Sequence, residues 1–162
     1  MEASAGPRLV AGVGGDPITG RGQAAYRLEL ARGFLEEARQ DTDLERWRSA
    51  VDGAQLAVEN AGKAALSLAG QIGRTHNPAT QLRRLIEEER FDAAYSEKLK
   101  RLAELAELLG PDIHIRTDYG DEVEGRTPWE LFDEADAGQA LAVAEEAVSL
   151  AGRIVGEGSR EQ

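Results

Sequence analysis

From residue 24 onward the chain repeats apolar residues at steps of three and four, the spacing of one face of an α-helix. The first such stretch, about Ala24 to Gln40, aligns Leu28, Ala31, Leu35 and Ala38, with Tyr26, Leu30 and Phe34 beside them. Gly33 interrupts it, weakening the helix but leaving room for a close neighbour. Thr42 and Glu45 then stand at capping-box spacing. After them Trp47, Val51, Ala54, Val58, Ala61, Ala65, Leu68 and Ile72 mark a helix of roughly 28 residues, about 42 Å long. Its stripe is rich in alanine, so its neighbours must approach closely, and it is predicted to be the central helix. It is expected to end within Gly70–Gly73.

A third, short helix is predicted behind Asn77 as cap and Pro78 at the first position, where a missing N–H costs nothing. It carries Leu82, Leu85 and Ile86 inward and Arg83, Arg84 and Glu87, Glu88 and Glu89 outward, a solvated face. The fourth helix, about Ala93 to Leu109, places Tyr95, Leu99, Leu102, Ala106 and Leu109 inside and stops at Gly110-Pro111. A loop of some 16 residues over 111–127 follows, long enough to suggest function or disorder. TPWE at 127–130 supplies a cap, a proline and a glutamate in capping-box order, starting a short helix. The last helix, about Asp136 to Val155, aligns Ala137, Leu141, Ala144, Val148, Ala151 and Val155 and ends at Gly156. The prediction is an all-α fold: an antiparallel up-and-down four-helix bundle with additional short helices.

Residues 1–23 are rich in Gly and Pro and lack the apolar centre of a signal peptide, so they are read as a flexible arm. The bundle occupies 24–156 and a short tail 157–162. The 162 residues suit one domain with a proper core. No apolar run reaches membrane-spanning length. Cysteine is absent, which excludes disulfides, thiolate metal sites and a cysteine nucleophile, and fits the cytoplasm. With two histidines and no cysteine, a dedicated transition-metal site is not expected, and any metal would be Mg²⁺-like and held by carboxylates. No cofactor is expected.

Nineteen Lys+Arg against 30 Asp+Glu leave a net charge of −11. So acidic a chain is poorly suited to binding nucleic acid by itself, because that affinity comes largely from neutralising phosphates. It suits solubility or a basic partner.

Two stretches hold candidate chemistry. GRTHNP at 73–78 puts Arg74 and His76 together, the groups that would move a proton and stabilise a phosphorane in RNA cleavage. The same residues serve equally as polar punctuation at a helix end, and that structural reading is favoured. His114, Arg116, Tyr119, Arg126 and Trp129 form the better cluster: guanidiniums can fork onto phosphate and aromatic rings can face a base. Against this, Asp118, Asp121, Glu122 and Glu124 compete for the arginines. Trp47 is read as core. If helix end and loop form one site, Arg74, His76, Arg116 and Tyr119 should converge at one end of the bundle.

The segments AAYRLELARGFLEEA, RWRSAVDGAQLAVENAGKAALSLAG, the TH of GRTHNPATQL, and HIRTDYGDEVEGRTPWELFDEADAGQALAVAEEAVSLA together resemble the HEPN domain (higher eukaryotes and prokaryotes nucleotide-binding), over about residues 24–155. The resemblance implies a helical bundle that commonly dimerises, often beside a minimal nucleotidyltransferase in a toxin–antitoxin pair. Many members are metal-independent ribonucleases with an Arg, four to six residues, then a His. This sequence departs from that motif. Gln71, Gly70 and Ala69 precede His76 at the required spacings, and Leu109, Leu108 and Glu107 precede His114. DYGD at 118–121 departs again, with Asp118 before Tyr119 where similar members often have Arg. The expectation is therefore a non-catalytic nucleotide-binding or interaction module, with no catalytic residues assigned. An RNA-cleaving toxin with an atypical centre and a ligand-free adaptor are the alternatives. A homodimer is expected, from alanine stripes on the second and last helices and a second apolar set on the last (Val143, Ala147, Leu150, Ile154).

Overall fold

The structure is a computed structural model that describes residues 17–70, 75 and 77–160. Among the described residues every regular element is helical, as the periodicity predicts, and only an isolated bridge between Asp121 and Arg126 pairs extended backbone. The helices are α1 (Pro17–Asp43), α2 (Trp47–Ser67), α3 (Pro78–Glu87), α4 (Ser96–Leu108, preceded by a 3₁₀ turn at Ala93–Tyr95), α5 (Pro111–Tyr119), α6 (Pro128–Leu131) and α7 (Glu134–Arg160). Four are long: α1, α2, α4 and α7.

α2 is the centre, and its alanines explain how. Ala54, Ala57, Ala61, Ala64 and Ala65 are fully buried, so α1 and α7 close upon its backbone. Ala38 of α1 approaches Gly53 so nearly that an added Cβ there would lie 3.3 Å from it. Gly62 meets the Pro78 ring of α3 more tightly still, at 2.8 Å from where a Cβ would be. Leucines fill the wider space around α4, where Leu82, Leu99, Leu102 and Leu105 are buried. Pairings fix direction. Arg27 donates to Asn60 while Gly53 packs on Ala38, so α1 and α2 are antiparallel. Arg39 reaches Glu145 and Arg32 covers Gly152, so α1 and α7 are antiparallel and α2 runs parallel to α7.

α2 also buries polar groups. Gln55, Glu59 and Lys63 follow one another at four-residue steps, with Glu59 and Lys63 paired at 3.0 Å and Ser67 bonded back to the Lys63 carbonyl oxygen. Around the outside, Arg83 clasps Glu107 (2.7 and 2.8 Å) and Arg101 clasps Glu146 (2.7 and 2.9 Å). Each guanidinium holds its carboxyl below the usual carboxylate range.

Several boundaries differ from the sequence reading. α1 begins at Pro17, so residues 17–23, read as arm, are helix; α7 likewise runs to Arg160, into the stretch read as tail. α2 has 21 residues rather than roughly 28. The Thr42–Glu45 capping box does not form. Thr42 is still inside α1, where its hydroxyl donates to the Ala38 carbonyl oxygen at 2.8 Å, and Glu45 takes φ 59° in the turn. Pro78 is at the start of α3 as expected, but the Asn77 side chain makes no cap bond. Ala147, Leu150 and Ile154, three of the four residues offered as a spare face of α7, are buried within one chain. That argument for a dimer therefore fails, because α1, α2 and α4 together cover more of α7 than one neighbour would.

Candidate functional site

The largest departure is at 111–127, predicted as a loop. Pro111–Tyr119 is a helix. Gly110-Pro111 ends one helix and begins the next, since proline's missing N–H is harmless at a first position. Gly120, at φ 74°, stops α5 and folds the chain back. A Cβ on Gly120 would fall on the Arg126 carbonyl oxygen. Asp121 and Arg126 exchange backbone hydrogen bonds (2.8 and 2.9 Å), and the Asp121 carboxylate accepts from the Glu124 N–H at 3.0 Å. The Thr127–Glu130 capping box forms in both directions, as predicted. Donation from the Thr127 backbone N–H holds the Glu130 carboxyl below its ordinary value.

α5 lies on the first turns of α2. Thr117 is fully buried there, its one hydroxyl proton shared between the His114 carbonyl oxygen (2.8 Å) and Asp52 Oδ1 (3.2 Å). Arg48 Nη1 donates to the Thr117 carbonyl oxygen at 2.8 Å and lies 4.0 Å from Asp118. His114 stands between two carboxylates, Nδ1 3.8 Å from Asp52 and Nε2 3.9 Å from Asp118. Arg48 and Asp52 were missed by the sequence reading. Their signal was a charged pair four residues apart at the head of an otherwise small-residue helix.

The five residues of the predicted cluster thus divide. His114 faces α2. Arg116 and Tyr119 are on the opposite, solvent face of α5, with Arg116 Nη1 4.0 Å from Asp121 Oδ2. Arg126 donates to the Glu130 carbonyl oxygen at 3.0 Å. Trp129 is 73% exposed on α6 and lines a separate cleft of about 430 Å³ with Glu45, Arg46, Trp47, Arg48, Ser49 and Phe132. Trp47, read as core, is half-buried and packs against the core while also forming a wall of this cleft. Both tryptophans of the chain therefore meet at one opening, with two arginines.

Arg74 and His76 lie outside the described residues. The end of the helix before them does not lie near α5. Ser67 is 15 residues, about 22 Å of helix, beyond Asp52. The expected convergence turns on Arg74 and His76, which lie outside the described residues, while Ser67 at the end of α2 stands apart from α5. α3 is too short to be a leg of the bundle, so α4 is the third leg, and its end lies where α2 begins rather than where it finishes.

The family model of the HEPN domain matches residues 24–154. The chain belongs to the HEPN domain family. The crystal structure of TT1696 from Thermus thermophilus shares the fold, with a TM-score of 0.59 at 23% identity, covering 82% of this chain and 98% of that one. No curated protein matches. Among the described residues of this HEPN domain, no group of three or more His, Asp or Glu side chains is arranged to hold a metal ion. No described helix is long and apolar enough to cross a membrane.

Proposed function

We propose that this HEPN domain is a non-catalytic nucleotide-binding and interaction module that works with a minimal nucleotidyltransferase in a toxin–antitoxin-like pair. One observation carries the nucleotide part: the cleft lined by Trp47, Trp129 and Phe132 together with Arg46 and Arg48. Indole faces accept a base regardless of its identity, and guanidiniums take a phosphate by charge-assisted hydrogen bonds. Arg116, Tyr119 and Arg126 do not line it and are not assigned to it. Family membership supports the partner, and the cysteine-free composition suits the cytoplasm. A homodimer belongs to the same reading. Its support is the outer face of α1, where Leu30 and Phe34 flank Gly33 in a shallow hollow and, among the described residues, no atom from outside this stretch of helix comes within 4 Å of that glycine's would-be Cβ.

Tryptophan emission tests the reading directly, because both indoles line the cleft. Titration with ATP or GTP is expected to quench it, with weaker binding at higher salt. Unchanged emission at millimolar nucleotide would leave only an interaction module.

A second reading has one observation in its favour. Arg48 and His114 flank the Asp118 carboxylate from two helices, bringing together the residue types that the family motif supplies from one segment. Cleavage of RNA by the purified chain in chelator, lost in His114→Ala, would establish a ribonuclease instead.

A further inference from the structure

Residues 111–136 hold nine carboxylates and two arginines, a net charge of −7 out of −11 for the whole chain. The same stretch holds four of the seven large hydrophobic side chains exposed among the described residues: Ile115, Tyr119, Val123 and Trp129. Trp129 lines the cleft. The other three lie outside it. Ile115 and Tyr119 are one helical turn apart on the solvent face of α5, and Val123, 95% exposed, is at the tip of the turn that follows. Asp112, Asp118, Glu122 and Glu124, interleaved with them in sequence, are exposed as well, and Arg116 on the same face lies 4.0 Å from Asp121.

The support beneath this surface is firm. Arg48 and buried Thr117 hold α5 to α2, and the Asp121–Arg126 backbone pair holds the tip. Nothing in the packing requires a valine there. A firm apolar patch with a charged rim is the form of a protein-docking surface, because little ordering entropy is lost when it binds. Its charge selects the partner's. Two copies face to face would oppose like-charged rims, whereas a lysine- and arginine-rich rim would be drawn in and held.

We infer that Ile115, Tyr119 and Val123, rimmed by carboxylates, form the docking surface for a partner protein whose matching face is basic around an apolar hollow. This rests on the reading that the domain works with a protein partner, and it is independent of the nucleotide cleft.

The full chain, tagged, is used to recover its partner from native cells, and that protein is then identified and purified alone. Its Kd is measured by calorimetry against the wild type, the double variant Tyr119→Ala/Val123→Ala and the double variant Glu122→Lys/Glu124→Lys. Each variant is expected to weaken binding by about 10-fold or more, and wild-type affinity is expected to fall as salt rises. Tryptophan emission and far-UV spectra unchanged from wild type show that the variants fold. If the purified partner binds both variants as tightly as wild type, or has no basic face, this docking surface is wrong while the partnered reading survives. If no protein is recovered, both fall. Sedimentation in which the variants dissolve a dimer of this chain would identify the occupant as a second copy and overturn the basic-partner assignment.

Discussion

Arg48, in the first turn of α2, donates to the backbone carbonyl oxygen of Thr117 on α5 at 2.8 Å. The contact joins residues 69 apart in sequence and fixes α5, the element that carries the exposed acidic face, to the most buried helix in the fold. A hydrogen bond with one charged partner contributes about 1.5–3 kcal/mol. Arg48→Ala is expected to lower stability by about that much. The loss should be local. Hydrogen exchange should quicken in α5 while the amides of α2 and α7 keep their protection, and uniform acceleration would contradict the bracing role.

Gly120 tests the turn. Its φ of 74° and the Arg126 carbonyl oxygen behind it exclude a side chain. Gly120→Ala should cost at least about 1–3 kcal/mol of strain, read as a lower midpoint in denaturant. A midpoint within error of wild type would mean that the turn has another conformation.

Glu130 gives a pH dependence. Its carboxyl is held below its ordinary value by the Thr127 backbone N–H, so the charged form is favoured by folding. That contribution is complete above the ordinary value of 4.5 and is lost as pH falls through the lower folded value. Glu130→Gln should therefore be less stable than wild type at neutral pH, and the gap should close in acid. A gap that widens in acid would reverse the sign and refute the cap.

The cleft offers a graded pair. Arg46 has a side chain 65% exposed and lies 3.9 Å from Asp41, so its removal should leave the fold unchanged. Arg46→Ala is expected to weaken nucleotide binding by about 10-fold or more, one charge-assisted contact's worth. Trp129→Ala should weaken it similarly by removing a stacking face. Equal affinity in both variants, measured by calorimetry, would place any nucleotide elsewhere.

What the sequence disclosed followed from whether its signals had one meaning. Apolar spacing over 47–67 admits only a buried helix, and the Thr127–Glu130 box has no competing partner, so both were legible. Thr42 did have a competitor, the Ala38 carbonyl oxygen one turn back, and the apparent cap dissolved into α1. Over 111–119 the periodic signal is inverted: Ile115 faces water while Thr117 is buried, so the segment reads as irregular. Its helix is specified by partners on α2, Arg48 and Asp52, that are distant in sequence. The cleft was hidden for the same reason, since Trp47 and Trp129 meet only once α6 has docked beside α2.

The alanine centre of α2 has a consequence for how this protein tolerates change. A leucine-filled core fails by losing atoms, because each truncation leaves a hole. Here five alanines of α2 and four of α7 (Ala137, Ala144, Ala147, Ala151) are fully buried, and α2 and α7 pack against each other. There is little left to remove, and any added methylene must push helices apart. Random substitution along the α2–α7 seam will accordingly be purged for bulk rather than for polarity. Serine should survive there more often than valine, and natural variation in this core should run toward glycine and serine while the leucines around α4 interchange with isoleucine and methionine.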